Sequence, residues 1–420
     1  MHRFVFAGIR MKKRQLSSKQ NLWLIRLYYF ILFIGMGALN PFINLYYSYR
    51  HLSGTEIGLL STVGSVVALS IAPFWGRLTD TISKPRRIMQ LTFIGSATLL
   101  FIMSMQTVFL AIALCVGLEA LMSGGSDSLR NSQAVSVAEE AQVGFGSIRL
   151  WGSLGWAIAA PISGWVIQQT SIRSIFYIYA IAALMAVAVL GLITTQAKRR
   201  PLTEEAPVAA RPALREVAKG VWKNPELMGF FVALVVMWAA TNGTKFEALF
   251  ITQLGAPTTI IGWANTVAAG TEVLVMLQVD RFIRRFDSTK ALILAFSLNA
   301  CSLIYLLISP SITAIFVMKV IAALGNSFYM LSFVAYIVER APSGQSTTVL
   351  ALFGTTANAL VTIIVSPFMG YLFDLIGPYW LYVIAFCGFA SGALIMYFTV
   401  ERKRRSEGSG GSAPEELVNP

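Results

Sequence analysis

Runs of about 20 apolar residues recur from one end of this chain to the other, and that repetition constrains the fold more than any motif does. At about 1.5 Å of rise per residue, a helix of that length crosses the roughly 30 Å hydrocarbon layer of a bilayer. Composition agrees: 56% of the 420 residues are apolar and only 13% charged, with a mean hydropathy of +0.66. No soluble domain of this size needs so much apolar material to fill one core. Lipid is the solvent this chain is built for.

Hydropathy predicts six helices near residues 24–47, 55–75, 88–107, 108–131, 147–169 and 174–196, and six more near 226–252, 258–280, 290–308, 312–339, 347–373 and 378–400. The first run is too long for a signal peptide's apolar region and is expected to stay as a membrane helix. Lys and Arg gather in alternate loops: Arg10 to Arg14, Arg77 with Lys84, Arg86 and Arg87, Lys198 to Arg200, Arg281 with Arg284 and Arg285, and Arg402 to Arg405. The opposite loops offer only Arg50 and Arg173. This bias puts both termini in the cytoplasm of an inner-membrane protein and demands an even number of spans. It also accounts for the net charge of +13, which would otherwise suggest nucleic acid.

The expected organisation is a cytoplasmic N-terminal segment (1–20), a bundle (21–196), a Pro-punctuated cytoplasmic linker (197–225), a second bundle (226–401) and a disordered tail (402–420). In the linker Leu214, Val217 and Val221 fall on one helical face, with Arg215, Glu216, Lys219 and Lys223 on the other. That pattern suits a short helix lying on the membrane surface or a solvated spacer. Cys115, Cys301 and Cys387 stand alone in apolar segments, so no disulfide framework or metal knuckle is expected. His2 and His51 are the only histidines, and no phosphate-cradling glycine loop is present. Zinc hydrolysis and nucleotide-driven pumping are thereby excluded, and no enzyme activity, cofactor or metal is expected.

The two halves echo each other. Gly76-Arg77-Leu78-Thr79-Asp80 with Lys84-Pro85-Arg86-Arg87 follows the second span, and Asp280-Arg281-Phe282-Ile283-Arg284-Arg285 follows the eighth. The first of these resembles the cytoplasmic loop signature of the major facilitator superfamily. Phe145 to Trp156 (FGSIRLWGSLGW) is similar to the fifth helix of the lactose permease branch, the oligosaccharide, nucleoside and phenylpropionate proton symporters. Tyr28-Tyr29-Phe30 through Gly37, Pro41 and Tyr46, Asp127, and Glu272-Val273-Leu274 leading into Arg284-Arg285-Phe286 add to the match.

The resemblance implies an all-α membrane protein of twelve helices in two pseudo-symmetric six-helix bundles. It implies a proton-coupled carrier for a small polar solute, with sugar first and a nucleoside or aromatic acid next, and nothing in the sequence demands more than a monomer. Asp127 and Arg149 would bind the solute, Trp156 would stack on a ring, and Glu272 would serve solute or proton. The branch's tenth-helix His-Glu pair is replaced here by Lys319, Asn326 and Tyr329, and its seventh-helix acids by Asn242, Lys245 and Glu247.

A charge at mid-membrane costs about 2.5–3.5 kcal/mol on insertion scales, so each one calls for a partner or a wet cavity. Glu119, Ser123, Asp127 and Arg130, at i, i+4, i+8 and i+11, draw one stripe down the fourth span. Glu119 is a candidate proton carrier or a structural hydrogen-bonding group. Asp127 is a solute ligand or a partner of Arg130 or Arg149. Arg130 belongs by resemblance to a cytoplasmic gate with Gly76, Asp80, Arg86, Asp280 and Arg281. Arg149 offers a bidentate fork for hydroxyls or anions, or else snorkels. Glu272 needs a partner from another helix, Lys319 or Lys245, and the expected proton-coupling set is Glu272, Glu119 and Lys319. Asn40 and Asn44 flank Pro41 and either line a cavity or join helices. A competing reading is a proton-driven drug exporter, since Gly155 through Ala160-Pro161-x-x-Gly164 partly matches the glycine-proline motif of facilitator antiporters. A third is a transport-dead sensor, which predicts a sizeable soluble domain.

Overall fold

The computed structural model of the chain describes residues 17–81, 85–124, 126–194, 220, 222–285, 287–342 and 345–409. These are overwhelmingly helical, because a backbone in hydrocarbon has to satisfy its own N–H and C=O groups. The first half holds α1 (Ser18–Leu39), α2 (Ile43–Tyr49), α3 (Gly54–Thr81), α4 (Pro85–Met105), α5 (Phe109–Ser123), α6 (Ser126–Glu140), α7 (Gly146–Gln169) and α8 (Ser174–Leu192). The second holds α9 (Pro225–Thr244), α10 (Glu247–Gln253), α11 (Thr258–Arg285), α12 (Ser288–Ile308), α13 (Ile312–Arg340), α14 (Ser346–Ala351), α15 (Asn358–Ile376) and α16 (Pro378–Ser409). A π-helical segment, Leu352–Ala357, joins α14 to α15. Among the described residues, ten apolar spans are long enough to cross a bilayer. With α5–α6 and α11 the described helices make twelve crossings, six in each half.

Three crossings expected as straight runs are broken. The first bends between α1 and α2 around Pro41, which has no N–H to continue the ladder. The seventh, its counterpart, bends between α9 and α10 at Lys245 and Phe246, and the fourth bends between α5 and α6 at Gly124. The last helix continues to Ser409, through residues whose composition assigned them to the tail. Glu401, Arg402, Lys403, Arg404 and Arg405 are all good helix formers. Most of the linker, with Leu214 and Val217, lies outside the described residues.

One face of the bundle, here the near face, carries the start of α1, capped by the Ser17 and Gln20 box, and the start of α9, capped by Asn224. On this face the Asn21 Oδ1 atom accepts from the Thr194 N–H at 2.9 Å, tying α1 to the end of α8. In the other half Arg340 pairs with Glu226 at 2.7 Å and sits 4.1 Å from the centre of the Tyr336 ring, tying α13 to α9. The opposite, far face carries the starts of α3 and α11.

The halves meet along two seams related by the internal repeat, α3 against α15 and α11 against α7. Gly58 lies directly on Ser366 and Pro367, and Gly262 on Ala160 and Pro161, with no room for a Cβ at either. Pro161 and Pro367 stand inside their helices. Lacking an N–H, each leaves the carbonyl four residues earlier without its helical donor. The opposite half supplies the replacement: Thr266 Oγ1 donates to the Ala157 carbonyl at 2.6 Å and Thr62 Oγ1 to the Ile363 carbonyl at 3.0 Å. Both threonines are ninth in their helices, about 12 Å along from the far end. Among the described residues, every hydrogen bond between the halves lies between that level and the far face. One apolar cluster crosses from Tyr46, Ile57 and Leu60 to Val361 and Met369. Toward the near face the first half has a cluster of its own, around Ile25, Tyr28, Leu32 and Leu190.

Candidate solute-binding site

The helix of the fourth crossing is interrupted at Gly124, yet its polar stripe stays on one cavity. The interruption separates Glu119, on α5, from Asp127 and Arg130, on α6, and all three line one cavity of about 430 Å³ within the first half. Asn40, Tyr47, Thr92, Ser96, Ser123 and Tyr179 complete its polar wall. The stripe therefore faces a cavity rather than lipid, as its cost in hydrocarbon demands. Ser96 Oγ, on α4, donates to Glu119 Oε1 at 2.6 Å. Arg130 pairs with Asp127 at 2.9 Å, the arginine side chain 6% exposed and the aspartate 65%. Asp127 is thus held from behind while open to the cavity.

Arg130 and Arg149 are organised by one aromatic ring. The Arg130 guanidinium stands 5.6 Å from the centre of the Phe33 ring and that of Arg149 5.4 Å from it, within the range of cation–π attraction. Tyr29 stacks on Phe33 with ring centres 5.9 Å apart, and its hydroxyl donates to Asn131 Oδ1 at 3.2 Å. Sequence reasoning did not single out Phe33, and it named Tyr29 only as part of the resemblance, because an aromatic pair one turn apart in an apolar run reads as packing. Trp156 is half-buried where α7 crosses α1 at Gly37. Glu272 is half-buried on α11, in the second half.

Several sequence expectations need correcting. Lys319 and Lys245 do not serve Glu272: Lys319 pairs with Glu247 at 2.8 Å, and Lys245 Nζ donates to Asn242 Oδ1 at 2.7 Å. Glu247 and Lys245 flank the break between α9 and α10, which delivers the carboxylate to α13 and turns the lysine back along α9. Asn40 lines the cavity, whereas Asn44 Nδ2 donates to the Lys245 carbonyl at 2.9 Å and joins the halves. On the near face Arg86 donates to the Thr194 carbonyl at 3.0 Å. The side chains of Gly76, Asp80, Asp280 and Arg281 lie outside the described residues. Among the described residues no group of His, Cys, Asp and Glu side chains is placed to hold a metal.

Two six-helix halves closed on each other at one face, with two carboxylates and a guanidinium turned into a cavity of the first half, define a secondary transporter of the major facilitator type. The chain belongs to the MFS_1 like family, whose model matches residues 22–384. It is 27% identical to the maltose permease of Geobacillus stearothermophilus over 383 residues, covering 90% of this chain and 94% of that one. It is 22% identical to the melibiose permease of Enterobacter cloacae over 414 residues, covering 94% and 96%. Among solved structures it is similar to the nucleoside transporter NupG, with a TM-score of 0.76 at 14% identity over 91% of this chain and 98% of that one. Its relatives are permeases and other transporters, and it is a multi-pass membrane transporter rather than an enzyme.

Proposed function

We propose that this protein is a proton-coupled symporter for a sugar or short oligosaccharide in the bacterial inner membrane. The observation that carries the reading is the cavity, in which two carboxylates and a guanidinium are backed by hydroxyl groups. Carboxylates accept from sugar hydroxyls and guanidinium donates to them in pairs, so a polyol finds complementary partners along the polar part of a lining that also offers apolar surface from Leu32, Met36 and Phe93. The names of the relatives point to the same solutes. In this reading Asp127, Arg149, Asn40 and Trp156 hold the solute on the side of the first half, and Glu272 meets it from the second. Glu119 and Glu272 are the groups that exchange protons, and Lys319 acts through its pair with Glu247.

The near face, flanked by the basic loops, is taken as cytoplasmic, so the seams at Gly58 and Gly262 close the periplasmic side and the arrangement faces inward. Asp80, Asp280, Arg86 and Arg281 would close the cytoplasmic side in the opposite arrangement, and Asn44 belongs with the periplasmic closure. The competing exporter reading rests on Pro161-x-x-Gly164. The same spacing recurs at Pro367-x-x-Gly370, and both segments are occupied in joining the halves.

Solute-evoked currents in proteoliposomes test this, with a panel of sugars, nucleosides, aromatic acids and lipophilic cations at two pH values. The expected result is an inward, pH-dependent current with a di- or oligosaccharide, lost in Glu272→Gln or Glu119→Gln. Currents from lipophilic cations alone, with protons moving the other way, would replace symport by export.

A further inference from the structure

The two seams have the same plan but not the same strength. In α7 the run Pro161-x-x-Gly164 is followed by Gln168, and in α15 the run Pro367-x-x-Gly370 is followed by Asp374, each polar residue seven positions beyond its proline. Each proline-vacated carbonyl takes a threonine from the other half, as described above. The seams differ one turn farther out. Gln168 is exposed. Asp374 instead reaches across to the first half: its Oδ1 accepts from the Gly54 N–H at 2.6 Å, and its Oδ2 accepts from the Thr55 N–H at 2.9 Å and from Thr55 Oγ1 at 2.8 Å.

Those N–H groups belong to the first turn of α3, a helix of 28 residues. The first turn of a helix has N–H groups with no partner inside the helix and carries the positive end of its dipole. The usual solution is a cap from the residue just before the helix. Ser53 stands at that position and caps in the usual way, its Oγ accepting from the Glu56 N–H at 3.2 Å while Glu56 Oε2 accepts from the Ser53 N–H at 2.8 Å and from its hydroxyl at 3.1 Å, so the Gly54 and Thr55 N–H groups are left to Asp374. Glu56 thus serves the start of α3 from within its own half, and Asp374 serves it from the other. In the equivalent place on α11, Thr258 Oγ1 donates to the Gly164 carbonyl at 2.8 Å, a neutral contact.

We propose that Asp374 is the bolt of the far-face gate: a charged helix cap supplied in trans, present in one seam only, that biases the transporter toward the arrangement closed at this face. The inference rests on the alternating-access reading above. Opening the far face separates α3 from α15, and three charge-assisted hydrogen bonds are then exchanged for water. Charge-assisted bonds are the stronger class, so their loss shifts the balance of the two arrangements, while the neutral seam between α11 and α7 shifts it less.

The test is a distance measurement on the full-length protein in lipid nanodiscs without solute. Spin labels go on Thr107→Cys and Ser309→Cys, exposed far-face positions in opposite halves, with Cys115, Cys301 and Cys387 replaced by serine. In Asp374→Asn, which keeps the size but loses the charge, the ratio of short to long distances is expected to fall about tenfold. Gln168→Ala and Glu56→Gln should leave it within about twofold. Asp374→Asn folds if it elutes as a single species and melts near the parent, and Asp374→Glu, which keeps the charge, should restore most of the short-distance population. An Asp374→Asn distribution like the parent's, or an equal shift in Gln168→Ala, would overturn the proposal. Whether the parent changes its distances when a transported sugar is added reports on alternating access separately, so the two failures cannot be confused.

Discussion

Charges inside a bilayer are tolerated only in company, and the described charges of this protein keep several kinds of it. Asp127 is paired with Arg130, Glu119 is held by a serine hydroxyl, Arg149 lies against an aromatic face, and Lys319 is bound to Glu247 across two helices. The last pair is the most enclosed on both sides, with its side chains 16% and 17% exposed. Removing one member of such a pair leaves the other charge in a poor solvent, whereas removing both leaves neither. Lys319→Ala and Glu247→Ala are each expected to lose on the order of 3 kcal/mol of stability, and the double variant to recover most of it. Thermal unfolding of the four proteins in detergent gives the coupling directly. Equal losses that simply add would mean the two groups are held by other partners. That ion pair was not legible in the sequence, because the residues are 72 positions apart on helices whose rotation only the packing sets.

At the scale of helices, the internal prolines explain the seams. A proline inside a membrane helix leaves a carbonyl that hydrocarbon cannot satisfy. In α7 and α15 the answer is a threonine on the helix opposite, so a local defect becomes a joint between halves. Pro161→Ala returns the missing N–H to α7 and gives the Ala157 carbonyl a donor within its own helix. Thr266→Val should therefore cost about 1–3 kcal/mol in the parent, the penalty of an orphaned carbonyl, and much less beside Pro161→Ala. A double-mutant cycle by thermal unfolding measures this, and a Thr266→Val cost that ignores residue 161 would refute the joint. The prolines themselves were visible in sequence. Their pairing with Thr62 and Thr266 was not, and Pro161-x-x-Gly164 was instead read as a sign of antiport.

For the molecule as a whole, the described contacts gather toward one face, leaving the first half with a separate apolar cluster toward the other. Gly58 is a point where this closure can be prevented, since its Cα lies on the backbone of Ser366 and Pro367. Gly58→Trp is expected to wedge the far face open. A cysteine placed at Thr62 should then react with a membrane-impermeant maleimide at least tenfold faster than in the parent, while uphill solute accumulation falls to background; a labelling rate unchanged by the tryptophan would mean that the seam closes some other way. Much of this organisation followed from the chain alone: the apolar period fixes helices, their number and the alternation of basic loops fix a twelve-crossing bundle, and the echo of Asp80 in Asp280 marks the duplication. A period of 3.6 residues specifies what lies on one face of one helix and says nothing of what that face meets. Which carboxylate finds which cation, which threonine fills which vacated carbonyl, and that Asp374 caps a helix 320 residues away are set by how twelve helices rotate and lean on one another. Only the tertiary structure decides that, because lipid offers each polar group no alternative partner and leaves the choice to packing.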